Sequence, residues 1–192
     1  MEVETVLLTP ERWSILESLF GATGACGGCW CMSWRQVRGE RWEDVKGAVA
    51  KARFHALVDA DAAHGVLALV GGEPVGWCAF DRRVTLIKLD RAPSLRCDDA
   101  ERVWSLPCFF VRRGYRGKGV ARALLQAALA ALAARGAEIV EAYPVKPPAN
   151  GKPIPAAFAW TGTRSLFEAA GFRVVGNEDG GKQRMRKVLV SA

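Results

Sequence analysis

The chain has no apolar run that approaches the roughly 18 residues a membrane span requires. Its opening stretch, MEVETVLLTPERW, carries early acids and lacks a basic start followed by an apolar core, so no secretory signal is expected. Histidine is scarce, with only His55 and His64 present. Three cysteines crowd together as Cys26-x-x-Cys29-x-Cys31, but a second pair at metal-ligand spacing is missing, which leaves a zinc site short of its usual four ligands. No internal repeat is visible. These absences point away from membrane, secreted, metal-dependent and solenoid proteins. They lead to the expectation of a cytoplasmic protein with reduced thiols and no bound metal.

What is present fits one ordinary globular domain over residues 1–192: half of the residues are hydrophobic and about a quarter charged. The formal net charge of +7 calls for an anionic partner, which could be nucleic acid, an acidic surface or a small polyphosphate.

Residues 3–9 read as an opening strand, and TPERWSILESLFG as a helix with Thr9 at its N-cap, Pro10 at its first position and Gly21 closing it. The Gly- and Cys-rich stretch that follows is irregular. A helix is expected over residues 42–63, with Val45, Val49, Ala52, Ala56 and Ala60 as its apolar stripe. GVLALVGGEPVGWCAF reads as a hairpin around Gly71 and Gly72. Residues 82–102 are polar and give no clear pattern. VWSLPCFFV is strongly β-prone, and Pro107 within it implies an edge or a bulge. Residues 120–135 form a helix ending at Gly136, with Leu125, Leu129 and Leu132 buried and Arg122 and Gln126 in water. EIVEAYPV is a strand, VKPPANGKPIP a loop, GTRSLFEAAGF a short helix, and FRVVG with RMRKVLV a final hairpin. Strands outnumber helices in a mixed order with one strand-helix-strand unit, so the fold class is α/β or α+β around one mixed sheet.

The stretch VRRGYRGKGVARALL places four cations and three glycines in the turn before a helix. A helix mouth exposes unpaired backbone N–H groups and adds roughly half a positive charge. Glycine lets the main chain approach a ligand closely. Phosphate is the guest such a turn takes. Two familiar phosphate loops fail here. A Walker loop needs Lys and then Ser or Thr after its last glycine, where Val120 and Ala121 stand, and a dinucleotide fingerprint needs glycine or alanine where Arg122 stands.

What remains, Arg116-x-x-Gly119-x-Ala121 after a strand and opening a helix, resembles the pyrophosphate-binding motif of the GNAT superfamily of acyl-coenzyme A N-acyltransferases. The order of strands and helices along nearly the whole chain agrees with that resemblance. It implies a mixed, mostly antiparallel sheet of six to seven strands flanked by helices, with a splay between the two central strands that receives the pantetheine arm. It further implies acetyl-coenzyme A as cosubstrate, with main-chain groups of Phe110 and Val111 on pantetheine. Arg113, Arg116, Gly117, Lys118, Gly119, Val120 and Ala121 then hold the pyrophosphate. The acceptor is an amine of a small molecule or a protein, no membrane partner is expected, nucleic acid is disfavoured, and a homodimer is admitted.

Two departures from the family pattern stand out. Its usual tyrosine thiol acid is replaced by Phe167, and the strand before the phosphate loop offers only Ser105 and Cys108 where some relatives carry a glutamate base. Strand alternation puts Glu141 and Tyr143 on one face, as candidate base and acid or as satisfied structural polar groups. In CGGCWCMSWR, Cys29, Trp30, Trp34 and Arg35 are candidates for the acceptor pocket, where the indoles stack on an acceptor and Arg35 holds a carboxylate. The alternative is that they fill a core edge. Peroxide sensing by an acidic thiol, a zinc site on this scaffold and a nucleic-acid surface along the basic tail are the competing functions.

Overall fold

The computed structural model describes residues 1–148, 154–155, 159–178 and 180–189. Seven strands make one mixed sheet: β1 (Glu4–Leu7), β2 (His64–Val70), β3 (Glu73–Arg82), β4 (Val103–Val111), β5 (Ile139–Ala142), β6 (Arg173–Val174) and β7 (Met185–Val188). Their order is β1-β2-β3-β4-β5-β7-β6, and the β4–β5 pair alone is parallel. That parallel pair follows from the connection between its strands, which runs through the helix of residues 120–134 and returns in the same direction. The β2–β3 turn falls at Gly71 and Gly72, whose φ values of 57° and 81° lie in the left-handed region that glycine enters without strain.

The helices are α1 (Trp13–Phe20), α2 (Trp42–Val45), α3 (Ala48–Asp59), α4 (Val120–Ala134) and α5 (Arg164–Ala169). Helix α4 buries Val120, Leu124, Leu125, Ala128 and Leu132 on one face of the sheet, together with Phe109, Phe167 and Met185. Leu129 is only half-buried. Helices α1 and α3 cover the other face around Leu16, Phe54 and Trp77. A third cluster of Trp34, Leu86, Leu89, Leu95 and Tyr143 extends that side.

Several sequence expectations are corrected here. The first helix starts as a 3₁₀ turn, Pro10–Arg12, and Thr9 gives it no side-chain cap. The helix expected over residues 42–63 is broken at Gly47, which has φ 76° and donates its amide to Gly28 O at 2.8 Å. The break resets the helical phase, so the buried stripe of α3 is Ala50, Phe54 and Val58, not Val49, Ala52 and Ala56. The featureless residues 82–102 wind as four short 3₁₀ segments, beside which Arg83 is fully buried and bonded to Asp90 and Leu95 O. Strand β5 ends at Ala142, short of Tyr143. The loop expected over residues 145–155 lies partly outside the described residues, as does Val190 of the last strand.

Pro107 sits in the centre of the sheet, not on an edge. Register pairs Ala79 with Cys108 but Asp81 with Ser105, so two residues of β4, Leu106 and Pro107, oppose Phe80 alone. This is a β-bulge, and it places the residue without an N–H where the ladder is already interrupted. On the other side of β4, pairing with β5 stops at Leu106 and Ala142. From Pro107 onward β4 continues for five residues while β5 has left it, which is the splay between the central strands.

Candidate active site

The turn between β4 and α4 is held by its own side chains. Arg112 pairs with Glu73 and reaches Ser18 O, the Tyr115 hydroxyl donates to Glu73 at 3.0 Å, and Arg116 Nε donates to Val111 O at 2.9 Å. Gly117 (φ 72°) and Gly119 (φ 87°) adopt left-handed backbone, and a Cβ built on either meets no atom within 4 Å. Glycine is therefore required by conformation and leaves open space beside the chain. The first turn of α4 contains no acid, and no side chain caps it. Its amides and the positive end of its dipole face that space, with Arg116, Lys118 and Arg122 nearby.

A cleft of about 580 Å³ starts at this turn. It runs along Phe109, Phe110 and Val111 of β4, and its far wall is Ala159, Trp160, Gly162 and Thr163 with Ser165, Leu166 and Ala169 of α5. Ala25 and Cys26 close its side. The structure therefore brings together Phe110, Val111, Arg116, Gly117, Gly119, Val120 and Ala121 on one cleft. Arg113 and Lys118 lie in the same turn; Lys118 Nζ is 5.9 Å from the Tyr115 ring centroid.

Beyond Phe109 the cleft meets the splay. Trp34 Nε1 donates to Pro107 O at 3.1 Å and so fixes the bulge. Trp34 lies against Trp160 and Tyr143, with centroids 5.6 and 6.3 Å away. The Tyr143 hydroxyl is 2.6 Å from Ser105 Oγ and donates to Glu141 Oε2 at 3.1 Å. Burial first, and then Glu141, push this phenol well above its ordinary pKa. Glu141 is fully buried, and its Oε1 accepts from Arg184 at 2.9 Å and from Arg186 at 2.7 and 2.9 Å. Arg186 in turn clasps Asp99 with both terminal nitrogens at 2.8 Å, and this bonding holds the Asp99 carboxyl below its usual range.

The acceptor candidates separate. Trp34 is at the splay. Trp30 is buried in the α1–α3 core against Trp13 and Phe20, and the Trp30 and Cys31 backbones take left-handed φ values of 39° and 58°. Arg35 does hold a carboxylate, but an internal one: Nη2 bonds Asp81 at 2.6 Å, and Asp81 also accepts from the His64 backbone and lies 2.9 Å from its ring. Cys29 is half-buried beside Cys31, and burial pushes its thiol up to about 12. Cys108 is raised as well, first by its bond with Cys31 and then by burial. An activated thiolate requires the opposite shift. Among the described residues no group of three His, Cys, Asp or Glu side chains is placed to hold a metal ion.

Sequence reasoning missed Trp160, Gly162 and Lys182, and weighed Cys26 only as part of the Cys26, Cys29 and Cys31 cluster. Lys182 Nζ donates to Thr161 Oγ1 at 3.2 Å and lies 4.7 Å from the Trp160 ring centroid and 6.0 Å from that of Trp34. Burial lowers its pKa to about 8. The available signal was the AWTGT stretch after the proline-rich loop, where a tryptophan two residues before a glycine marks packing: a Cβ on Gly162 would sit 2.6 Å from the Phe167 ring. Phe167, at the place of the family tyrosine, is fully buried against Phe109 and Phe172.

Residues 31–151 match the family model described as Acetyltransferase (GNAT) family. No curated protein matches the chain. Among solved structures, an acetyltransferase of the GNAT family from Streptococcus pneumoniae has TM-score 0.59 at 11% identity, over 98% of this chain and 100% of that one. The GNAT domain of S. lividans PAT has TM-score 0.56 at 21% identity, over 97% and 90%. The PaiA N-acetyltransferase from Thermoplasma acidophilum, in complex with coenzyme A, has TM-score 0.51 at 13% identity, over 98% and 100%. At these identities the likeness concerns the fold.

Proposed function

The chain belongs to the GNAT acetyltransferase family, and we propose that it is an N-acetyltransferase, one domain over residues 1–192, that carries an acetyl group from acetyl-coenzyme A to a primary amine of a small molecule or protein. One observation carries this reading: a single cleft joins the glycine-opened mouth of α4 to Phe109, Phe110 and Val111, on the stretch of β4 that β5 no longer pairs. The residues fit the cosubstrate. A diphosphate needs donors without side chains in the way, which the amides at Gly117, Gly119, Val120 and Ala121 supply, and countercharge, which Arg113, Arg116 and Lys118 supply. The β4 edge at Phe110 and Val111, unpaired on the β5 side, suits the amide groups of a pantetheine arm.

At the reacting end, acyl transfer needs a neutral amine, a polarised thioester carbonyl and a proton for the leaving thiolate. We assign polarisation to a main-chain amide of β4 beyond the bulge. Tyr143 is our candidate acid, kept protonated by burial. Glu141, whose oxygens accept from Arg184, Arg186 and Tyr143, is proposed as a positioning residue that fixes Tyr143. Trp34 bounds the acceptor site by holding Pro107. All six cysteines are unpaired, which suits a reducing cytoplasm. Calorimetric titration with acetyl-coenzyme A should give saturable one-site binding; absence of heat at millimolar donor overturns the reading. Tyr143→Phe should then slow thiol release to an accepted amine at unchanged donor affinity.

A further inference from the structure

Resting on that reading, we propose that Lys182 is itself an acetyl acceptor: its side chain lies against Trp160, which lines the donor cleft, and against Trp34, which holds Pro107, and the protein acetylates it when no other amine occupies the site.

Four observations place it there. Trp160 walls the cleft and also lies under the Lys182 ammonium. Thr161, between the cleft-lining Trp160 and Gly162, accepts the bond from Nζ. Cys108, the ionisable side chain that faces Lys182, stands between Pro107, where the β5 partner is lost, and Phe109, on the cleft wall. Trp34 completes the surroundings and is bonded to Pro107 O. A lysine ordinarily rests on a carboxylate or in water, yet among the described residues no carboxylate pairs with this one. Two indole rings and one hydroxyl neighbour the nitrogen, and none of them carries a charge.

The nucleophile is accordingly prepared. Burial beside the indoles lowers the pKa to about 8, so near that pH about half of Nζ is neutral, against well under 1% for a lysine near 10.4. The titratable group facing it is the Cys108 thiol, which burial and Cys31 keep protonated; Glu141 and Asp99 are turned to Arg184 and Arg186. In the step, the ammonium first gives one proton to solvent. The Nζ lone pair attacks the thioester carbonyl carbon, the C–N bond forms and the C–S bond breaks. The second nitrogen proton is lost as the departing thiolate takes one up. The products are acetyl-lysine and coenzyme A, and no oxidant or further reactant is consumed. The modification removes the charge beside the two tryptophans and leaves a neutral amide in the acceptor site.

The test is incubation of the intact protein with acetyl-coenzyme A alone, followed by peptide mass mapping over time and over pH 6.5–9.5, set beside calorimetry on the same sample. Lys182 should gain one acetyl group at least about tenfold faster at pH 8 than the exposed Lys46 and Lys146. Its rate should rise about tenfold per pH unit at low pH and level near 8, while the exposed lysines keep rising. Coenzyme A should compete, and Gly119→Asp should reduce the Lys182 rate to that of the exposed lysines. Lys182→Arg should melt like wild type and take up no acetyl group in that peptide. Donor binding with Lys182 modified no faster than Lys46 overturns this inference and leaves the cleft reading intact. Modification that ignores coenzyme A competition overturns it as well. No donor binding overturns both.

Discussion

Gly119→Asp separates ligand binding from folding. The new carboxylate enters at the N-cap of α4, at a residue with φ 87° and no atom within 4 Å of its Cβ. A non-glycine residue in left-handed backbone costs about 1–2 kcal/mol. An aspartate at an N-cap returns about 1 kcal/mol by accepting from the amides of the first turn, which no side chain caps in this protein. The two effects nearly cancel, and at about 2–4 °C per kcal/mol for a chain of this size the melting temperature should move by under about 4 °C. Binding behaves differently, because the amides satisfied by the new carboxylate are those the diphosphate needs. Charge-assisted bonds contribute about 1.5–3 kcal/mol each, so two lost bonds amount to 3 kcal/mol or more. At about 1.4 kcal/mol per tenfold, affinity for acetyl-coenzyme A should fall more than a hundredfold. Gly119→Ala, which adds the strain without the charge, should fall between the two. Calorimetry and thermal melting on the same preparations read both quantities. A folded Gly119→Asp protein that binds the donor within about threefold of wild type would refute the seat at α4.

Gly76→Ala puts a Cβ 2.8 Å from Val120 Cγ1 and 3.0 Å from Leu124 Cδ1; overpacking there should cost about 1–3 kcal/mol in melting experiments and weaken the donor by displacing the first turn of α4. Unchanged donor affinity would mean that the turn is not held by β3. Glu141→Gln leaves Arg184 and Arg186 without a fully buried carboxylate and should destabilise by about 3 kcal/mol or more, a fall of roughly 6–12 °C in melting temperature. Lost turnover at an unchanged melting temperature would instead make Glu141 a proton acceptor. With iodoacetamide at pH 8, Cys26, exposed on the cleft, should be alkylated before Cys29, whose pKa of about 12 leaves roughly one thiol in ten thousand ionised. Acetyl-coenzyme A should protect Cys26, and labelling of Cys29 first would contradict the burial described.

The half of the site proposed to hold the donor was readable in the sequence because it is local. Arg116, Gly117, Gly119 and the alanine-rich helix after them lie within one turn and one element, and both the glycine geometry and the apolar spacing act over three or four residues. Pro107 was half-legible: a missing N–H signals an interrupted ladder, but whether that interruption falls on an edge or a central bulge depends on which strands flank it. The stripe assigned to residues 42–63 failed for a related reason, since Gly47 leaves the helix to meet Gly28, a partner the helical period does not contain.

The half proposed to take the acceptor has no local pattern to read. Trp34, Cys108, Tyr143, Trp160 and Lys182 come from five separate segments, brought together because β5 pairs with β7 on one side and parts from β4 on the other. Lys182, bridged to Val145, sits among basic residues that read as a solvated strand, and only the sheet order puts its ammonium against two indoles. On the proposed reading, a chain that keeps the donor seat in one loop and builds the acceptor wall from distant segments can change its amine without touching its cosubstrate. Substitutions at Trp34, Trp160 or Lys182 should therefore alter which amines are acetylated while acetyl-coenzyme A affinity stays within about threefold; loss of donor binding in all three would mean that the two halves are one unit.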